Sequence, residues 1–388
     1  LHVKRHSFPT RRSSDLIAKA FPSSPDEDTT TSTFDFEIIV SNLDFRNLNF
    51  SFQKEAFVKS EASYDYFNLD DFRIDNLNLV LSAFADMEEN EYELTIKEFN
   101  SKINLKRFNL NDFRGKFALS EKGIEISGFN FASDSSRLKA DVKIDGINIF
   151  GDMSDDALKK VTVDLDLRSE KFNFADVASY VPALDMIKGA LAVELSGKGN
   201  LSEFELRKFD IVYGETELKT TGKFYNLNDP EKLYISTLTS GSEMNFADII
   251  KMLPGIAPEM IAKLPVMSID TLRFAGSPTN FSTSFGMRLA QGGVRGEVVM
   301  DMDKPDMVYD VKLNTHNLDV SPILNMPSNI SASIDIKGAG TDLGKMNLDS
   351  KISLNNSRIG LYNINRLFMK GDMNRGNTSI ALTGDVDS

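Results

Sequence analysis

Residues 161–168, Val-Thr-Val-Asp-Leu-Asp-Leu-Arg, alternate without exception, every odd position apolar and every even one polar. Successive side chains of a strand point to opposite faces, so this run fits a strand with one dry and one wet face. It does not fit a helix, whose apolar positions recur at three and four. Leu138 to Asp145 repeats the pattern, with Lys139, Asp141, Lys143 and Asp145 on the wet side. Met346, Leu348, Ile352 and Leu354 share a face broken only by Ser350, and Asn347, Asp349, Lys351 and Ser353 share the other. Rougher runs at Leu77–Leu81, Tyr92–Ile96, Glu217–Phe224, Ser282–Leu289 and Gly296–Met302 are divided by turn formers such as Asp145-Gly146, Asn228-Asp229-Pro230 and Asp303-Lys304-Pro305. The expected fold is mainly β, an elongated, repetitive antiparallel meander with a few short helices.

A long period lies over this short one. Asn173, Asn245 and Asn317 stand 72 residues apart, opening Asn-Phe-Ala-Asp twice and then Asn-Leu-Asp. A fixed spacing of this size marks one module copied along the chain. After the first two asparagines, Phe174, Val177, Ala178 and Val181, and likewise Phe246, Ile249, Ile250 and Leu253, fall at i, i+3, i+4 and i+7, followed by Pro182 and Pro254. Each predicts a short amphipathic helix with an Asn N-cap, an early Asp at its positive end and a proline stop. Ser321 and Pro322 spoil the third copy, which predicts at most one turn there. The chain then goes extended at Ala190–Leu195, Ile269–Phe274 and Ile334–Ile336.

Composition removes several classes of function. A formal charge of -13 disfavours nucleic acid, whose binding needs Lys and Arg at phosphates. The chain holds no cysteine, and its three histidines are His2, His6 and His316. A metal cluster or a Ser/His/Asp site therefore lacks its usual groups, and the expectation is no catalytic residue, no metal and no cofactor. Gly338-Ala339-Gly340-Thr341-Asp342-Leu343-Gly344 has one residue too many for a dinucleotide loop and leads into the strand from Met346, not into a helix. The acidic pairs Glu88-Glu89 and Asp155-Asp156 read as solvated turns. No apolar run reaches the roughly 18 residues of a membrane span; the nearest, Ile249–Met267, is broken by three prolines and three charges.

Residues 1–33 stand apart. Lys4, Arg5, Arg11 and Arg12 have no apolar h-region behind them, so a signal peptide is not supported. Ser7–Leu16 resembles a translated sequencing adapter, and the chain is expected to be a fragment whose true upstream sequence is missing. Residues 17–33 read as a disordered lead-in. Beyond them the sequence divides into β segments at 34–160 and 161–388, the latter carrying repeats at about 173–244, 245–316 and 317–388.

What covers the dry face decides the function. A second sheet would give a closed-core scaffold or adhesin. A meander curling into a trough would instead leave an apolar groove, which roughly 25 strands at about 4.8 Å would extend to on the order of 100 Å. Short helices would edge such a trough without roofing it. An apolar groove suits acyl chains: moving a diacyl lipid through water exposes roughly 30 methylenes at about 0.8 kcal/mol each, on the order of 24 kcal/mol.

The Asn-Phe-Ala-Asp helix, its proline and a following alternating strand that ends in Gly-Lys-Gly-Asn-Leu-Ser (197–202) or Gly-Ala-Gly-Thr-Asp-Leu (338–343) resemble the repeats of the TamB and AsmA-like envelope proteins, in the form found in Bacteroidota. Phe117–Asp145 and Val212–Leu227 have the same flavour, so the resemblance spans residues 34–388. It implies a β-groove in the periplasm, an inner-membrane anchor upstream, phospholipid as cargo, and a part in outer-membrane protein assembly and secretion through an outer-membrane barrel met by a C-terminal region not present here. The groove residues expected to touch acyl chains are Leu138, Val142, Ile144, Val161, Val163, Leu165, Leu167, Ile334, Ile336, Met346, Leu348, Ile352 and Leu354.

Overall fold

A computed structural model describes residues 36–55, 58, 64–151, 154–252, 262–289, 292–342 and 344–387. They form one 19-stranded antiparallel sheet in which each strand pairs with the next in sequence. The strands are β1 (Glu37–Gln53), β2 (Asp71–Asp86), β3 (Glu91–Ile103), β4 (Asn109–Ser120), β5 (Gly123–Ser133), β6 (Arg137–Asp145), β7 (Thr162–Asn173), β8 (Ala190–Asn200), β9 (Glu203–Tyr213) and β10 (Thr216–Tyr225). They continue as β11 (Tyr234–Met244), β12 (Met267–Gly276), β13 (Asn280–Leu289), β14 (Gly292–Asp301), β15 (Val308–Leu318), β16 (Ser328–Ala339), β17 (Asn347–Ile359), β18 (Tyr362–Asn374) and β19 (Asn377–Asp387). Strands are fewer than the sequence predicts because most are longer than their clearest alternating cores. The pairing of β6 with β7 crosses position 160 without a break.

The sheet is not closed into a barrel, and among the described residues no second sheet lies on it. The mainly β antiparallel meander of the sequence reading therefore holds, as one open sheet with few short helices.

In an antiparallel meander the connections fall alternately on two rims. The links β1–β2, β3–β4 and onward by twos make one rim, termed rim A; the others make rim B. All three copies of the asparagine motif lie on rim A, at the β7–β8, β11–β12 and β15–β16 links. The period explains this, since 72 residues amount to four strands and an even number returns the chain to the same rim.

The motif's chemistry is that of a joint. Asn173 Oδ1 accepts the N–H of Ala175 (3.1 Å), capping the helix Phe174–Ala178, and Asn245 Oδ1 accepts that of Ala247 (2.9 Å) ahead of the helix Phe246–Met252. The Asn173 and Asn245 N–H groups donate to the hydroxyls of Ser136 (2.9 Å) and Thr216 (3.0 Å) on the preceding hairpin. Asp176, buried, accepts hydrogen bonds from the Ser133 and Ser135 hydroxyls, and Asp248 accepts the Glu215 N–H (2.6 Å). In the third copy Asn317 adopts left-handed φ +47, Asp319 accepts the Ser321 N–H (2.8 Å), and a single turn, Ser321–Leu324, follows, as Pro322 predicts. Pro182 does more than stop a helix, because it opens a 3₁₀ turn, Pro182–Met186. Leu253 and Pro254 lie outside the described residues.

A line of bulges explains the curl. Toward rim A the registers slip between Asp75 and Asn78, Arg137 and Lys139, Glu217 and Thr220, Thr315 and Leu318, and Asn329 and Ala332. Neighbouring hydroxyls satisfy the backbone groups these slips free: Ser242 accepts from the Lys219 N–H (2.9 Å), Ser331 from Asn317 (3.0 Å) and Ser357 from Ser331 (3.0 Å). Between β1 and β2 the side chain of Asn49 does the same for the N–H of Asn76, whose φ is +53. A bulge bends its strand. Bends at a similar level on several strands curve the sheet along that line.

Candidate functional site

The apolar face reads as rungs along the trough. One rung runs from Ile144 and Val163 through Gly199, Phe204, Phe224, Ile235, Gly276, Phe281, Met300, Tyr309 and Gly338 to Leu348, each opposite the next. A second joins Val142 and Leu165 to Leu206, Phe274, Val298, Val311 and Ile336. A third joins Leu167 and Leu195 to Leu272, Phe285, Leu313, Ile334 and Ile352. Two groups of candidates nine strands apart, about 43 Å, thus share three adjoining rungs. Leu354 pairs with Ala332 one step nearer rim A, and Leu138 pairs with Phe131.

Eleven of the thirteen candidates are half-buried strand residues. Val161 and Met346 each precede a strand at rim B and are buried, so they close its ends rather than line its floor. The rungs' glycines leave no furrow. A Cβ on Gly197 would meet the Phe204 ring at 2.5 Å, and one on Gly338 the Tyr309 ring at 2.4 Å, so neighbouring rings already fill that space.

The opposite face is solvated. Glu125, Lys143, Asp164, Lys198, Glu205 and Lys223 stand on successive strands in alternating sign. Asp164 binds Lys198 (3.0 Å) and Arg207 (2.6 Å), and the lysine hydrogen bond holds its carboxyl below the usual range.

Apolar burial concentrates at rim A. Leu105, Phe108 and Leu110 form one core with Phe99, Ile103, Phe113 and Phe131; Met267, Ile269 and Leu289 form another with Phe246, Leu264 and Leu272. The β7–β8 link folds back over the first. Tyr180 meets Phe108 edge-on (centroids 5.3 Å) and Phe67 (5.6 Å), and burial pushes its hydroxyl up to about 12, with Asp176 adding to the shift. Phe113, Phe117 and Phe129 continue the rings along the floor. The candidate residues omitted this aromatic stretch, although 15 of the chain's 28 phenylalanines fall between residues 34 and 131.

His316 is exposed beside the amide of Asn317. Among the described residues no group of three His, Cys, Asp or Glu side chains is placed to hold a metal, and no helix is long and apolar enough to cross a membrane. Glu88 and Glu89 sit in the β2–β3 turn, their N–H groups on Asp86 Oδ1. No family model, curated protein or solved structure matches the chain.

Proposed function

We propose that the chain is a non-enzymatic groove segment that carries phospholipid acyl chains along its apolar face. One observation carries the reading: three largely apolar rungs run from β7 to β16 of a single open sheet, with no second sheet over them among the described residues. Such a face exposed to water is a large standing cost, and monomeric proteins rarely leave a contiguous apolar patch beyond a few hundred Å² without a partner for it. Acyl chains fit because the face is long, mostly apolar and backed by a charged outer surface that stays in water.

The resemblance of the repeats to TamB and AsmA-like proteins extends the proposal. It puts the segment in the periplasm, between an inner-membrane anchor and an outer-membrane assembly barrel, serving phospholipid traffic and outer-membrane protein assembly. Native mass spectrometry of the purified chain with lipid extraction tests the core of it. Bound phospholipid is expected, lost in Val163→Asp and Leu348→Asp variants that keep their β circular dichroism. Lipid-free wild type, with variants that simply unfold, would refute the reading.

A further inference from the structure

Most contacts between strands that are not neighbours skip only one or a few strands, as from Asp164 to Arg207 or Tyr92 to Phe150, and the farthest-reaching ones gather at one place. The β7–β8 link, residues 174–189, reaches back along rim A to the β1–β2 and β3–β4 links. The Phe67 N–H donates to the Ser179 carbonyl (2.7 Å), Tyr180 lies against the rings of Phe67 and Phe108, and Arg107 pairs with Asp185 (3.3 Å). In a flat sheet β2 and β7 would stand about 24 Å apart. The link is thus a strap laid across five strands.

The strap's two ends differ in kind. Its root is fixed, with Ala178 and Asp176 buried and Asp176 bonded to the β5–β6 turn. Its far contacts are mostly exposed: Phe67 and Tyr180 remain 38% and 42% accessible and the Arg107–Asp185 pair faces water, although the Phe67 N–H reaches the carbonyl of buried Ser179 and Tyr180 rests on buried Phe108. Exposed rings and a surface ion pair open far more readily than a strand ladder. Beneath the strap lies Phe108 with its core of Leu110 and Phe131, which adjoins the open rungs.

We infer that this strap is a gate, hinged at Asp176 and latched at Phe67, that opens to let an acyl chain reach the aromatic stretch beneath it. The inference rests on the groove reading. The chain holds no cysteine, so a Phe67→Cys/Tyr180→Cys variant has its only two thiols across the latch. Unlinked, it lacks the latch rings; joined by a short bis-maleimide, it is held shut.

Loading is followed with a fluorescent fatty acid and with phosphatidylethanolamine vesicles carrying a labelled lipid. The unlinked variant, capped by a monofunctional maleimide, is expected to load at least as fast as wild type, and the linked one at least tenfold slower, with unchanged circular dichroism in both. Equal rates for linked and capped forms would overturn the gate while leaving the groove standing. Loading absent from every form, wild type included, would remove the groove reading and the gate with it.

Discussion

Asp176→Ala should loosen one rim of the sheet and nothing else. The carboxylate is 1% exposed and accepts hydrogen bonds from the hydroxyls of Ser133 and Ser135, the latter at 2.6 Å. Hydrogen bonds to a charged group contribute about 1.5–3 kcal/mol each, less what the freed hydroxyls recover from water or neighbours, so a net loss of about 2–4 kcal/mol is expected. Ser133 is itself buried, but its oxygen keeps the N–H of Ser136 at 2.8 Å, which holds the loss below the sum of two full bonds. The loss should be local, because each strand touches little beyond its two neighbours and such arrays open piecewise. Hydrogen–deuterium exchange reads it directly. Amides of the strap, such as Tyr180 and Val181 on the Val177 carbonyl and Leu184 on Val181, should lose protection by about 30- to 1,000-fold, while β16–β18 stay unchanged. Asp176→Asn, which keeps an acceptor of the same shape, should lose about tenfold. Unaltered protection in 174–184, or equal loss in β16–β18, would show that this carboxylate is not what pins the strap.

Four further outcomes follow from the same geometry. Gly296→Ala places a Cβ 2.6 Å from Leu313 and the Phe285 ring and should cost about 1–3 kcal/mol in urea unfolding, whereas Gly286→Ala, whose Cβ meets nothing nearer than 3.8 Å, should be neutral or better. Asn317→Ala, at φ +47, should destabilise by about 1 kcal/mol and Asn317→Gly by much less, as thermal melts of the two would register. Tyr180 should titrate near 12 in an ultraviolet difference titration against Tyr180→Phe; its hydroxyl is raised, so its contribution is intact below the unfolded value near 10 and fades as pH climbs toward 12. Asp164 is depressed by Lys198, so a double-mutant cycle should find a coupling of about 0.2–1 kcal/mol at pH 7, screened by salt and lost as pH falls below the unfolded value near 4.

The strands were legible because a half-buried strand writes its faces into the sequence two residues at a time. Leu138–Ile144 and Val163–Leu167 needed no partner to be recognised, and the helix of Asn173 declared itself by its cap and its proline. Register was not legible. That Val163 and Leu348 share a rung depends on the slip at every intervening hairpin, and those slips are set by residues that look like ordinary polar strand positions. Ser242, Ser331 and Ser357 alternate into the pattern as wet-face residues, yet they are turned in toward the bulged backbone of the next strand. Burial at strand ends was equally hidden: Val161 and Met346 belong to the right face by parity, but they stand where a connection closes over it. The aromatic stretch left a compositional trace in its dense phenylalanines, without a period to say that the rings would meet.

Parity also settles why the two rims differ. A module of four antiparallel strands brings every copy of its long connection to the same edge, so a short helix or turn and an aspartate that accepts a backbone or hydroxyl hydrogen bond recur there at intervals of about 19 Å. A three- or five-strand module would have sent them to alternate rims and left both half-covered. With four, rim A accumulates the bends and the two buried apolar cores, and rim B keeps mostly short turns such as 121–122, 201–202 and 277–279. Curvature follows in the same sense: several of the register slips fall in the rim A half of their strands, and a bulge bends its strand. The trough and its single dressed edge are two consequences of the same even number.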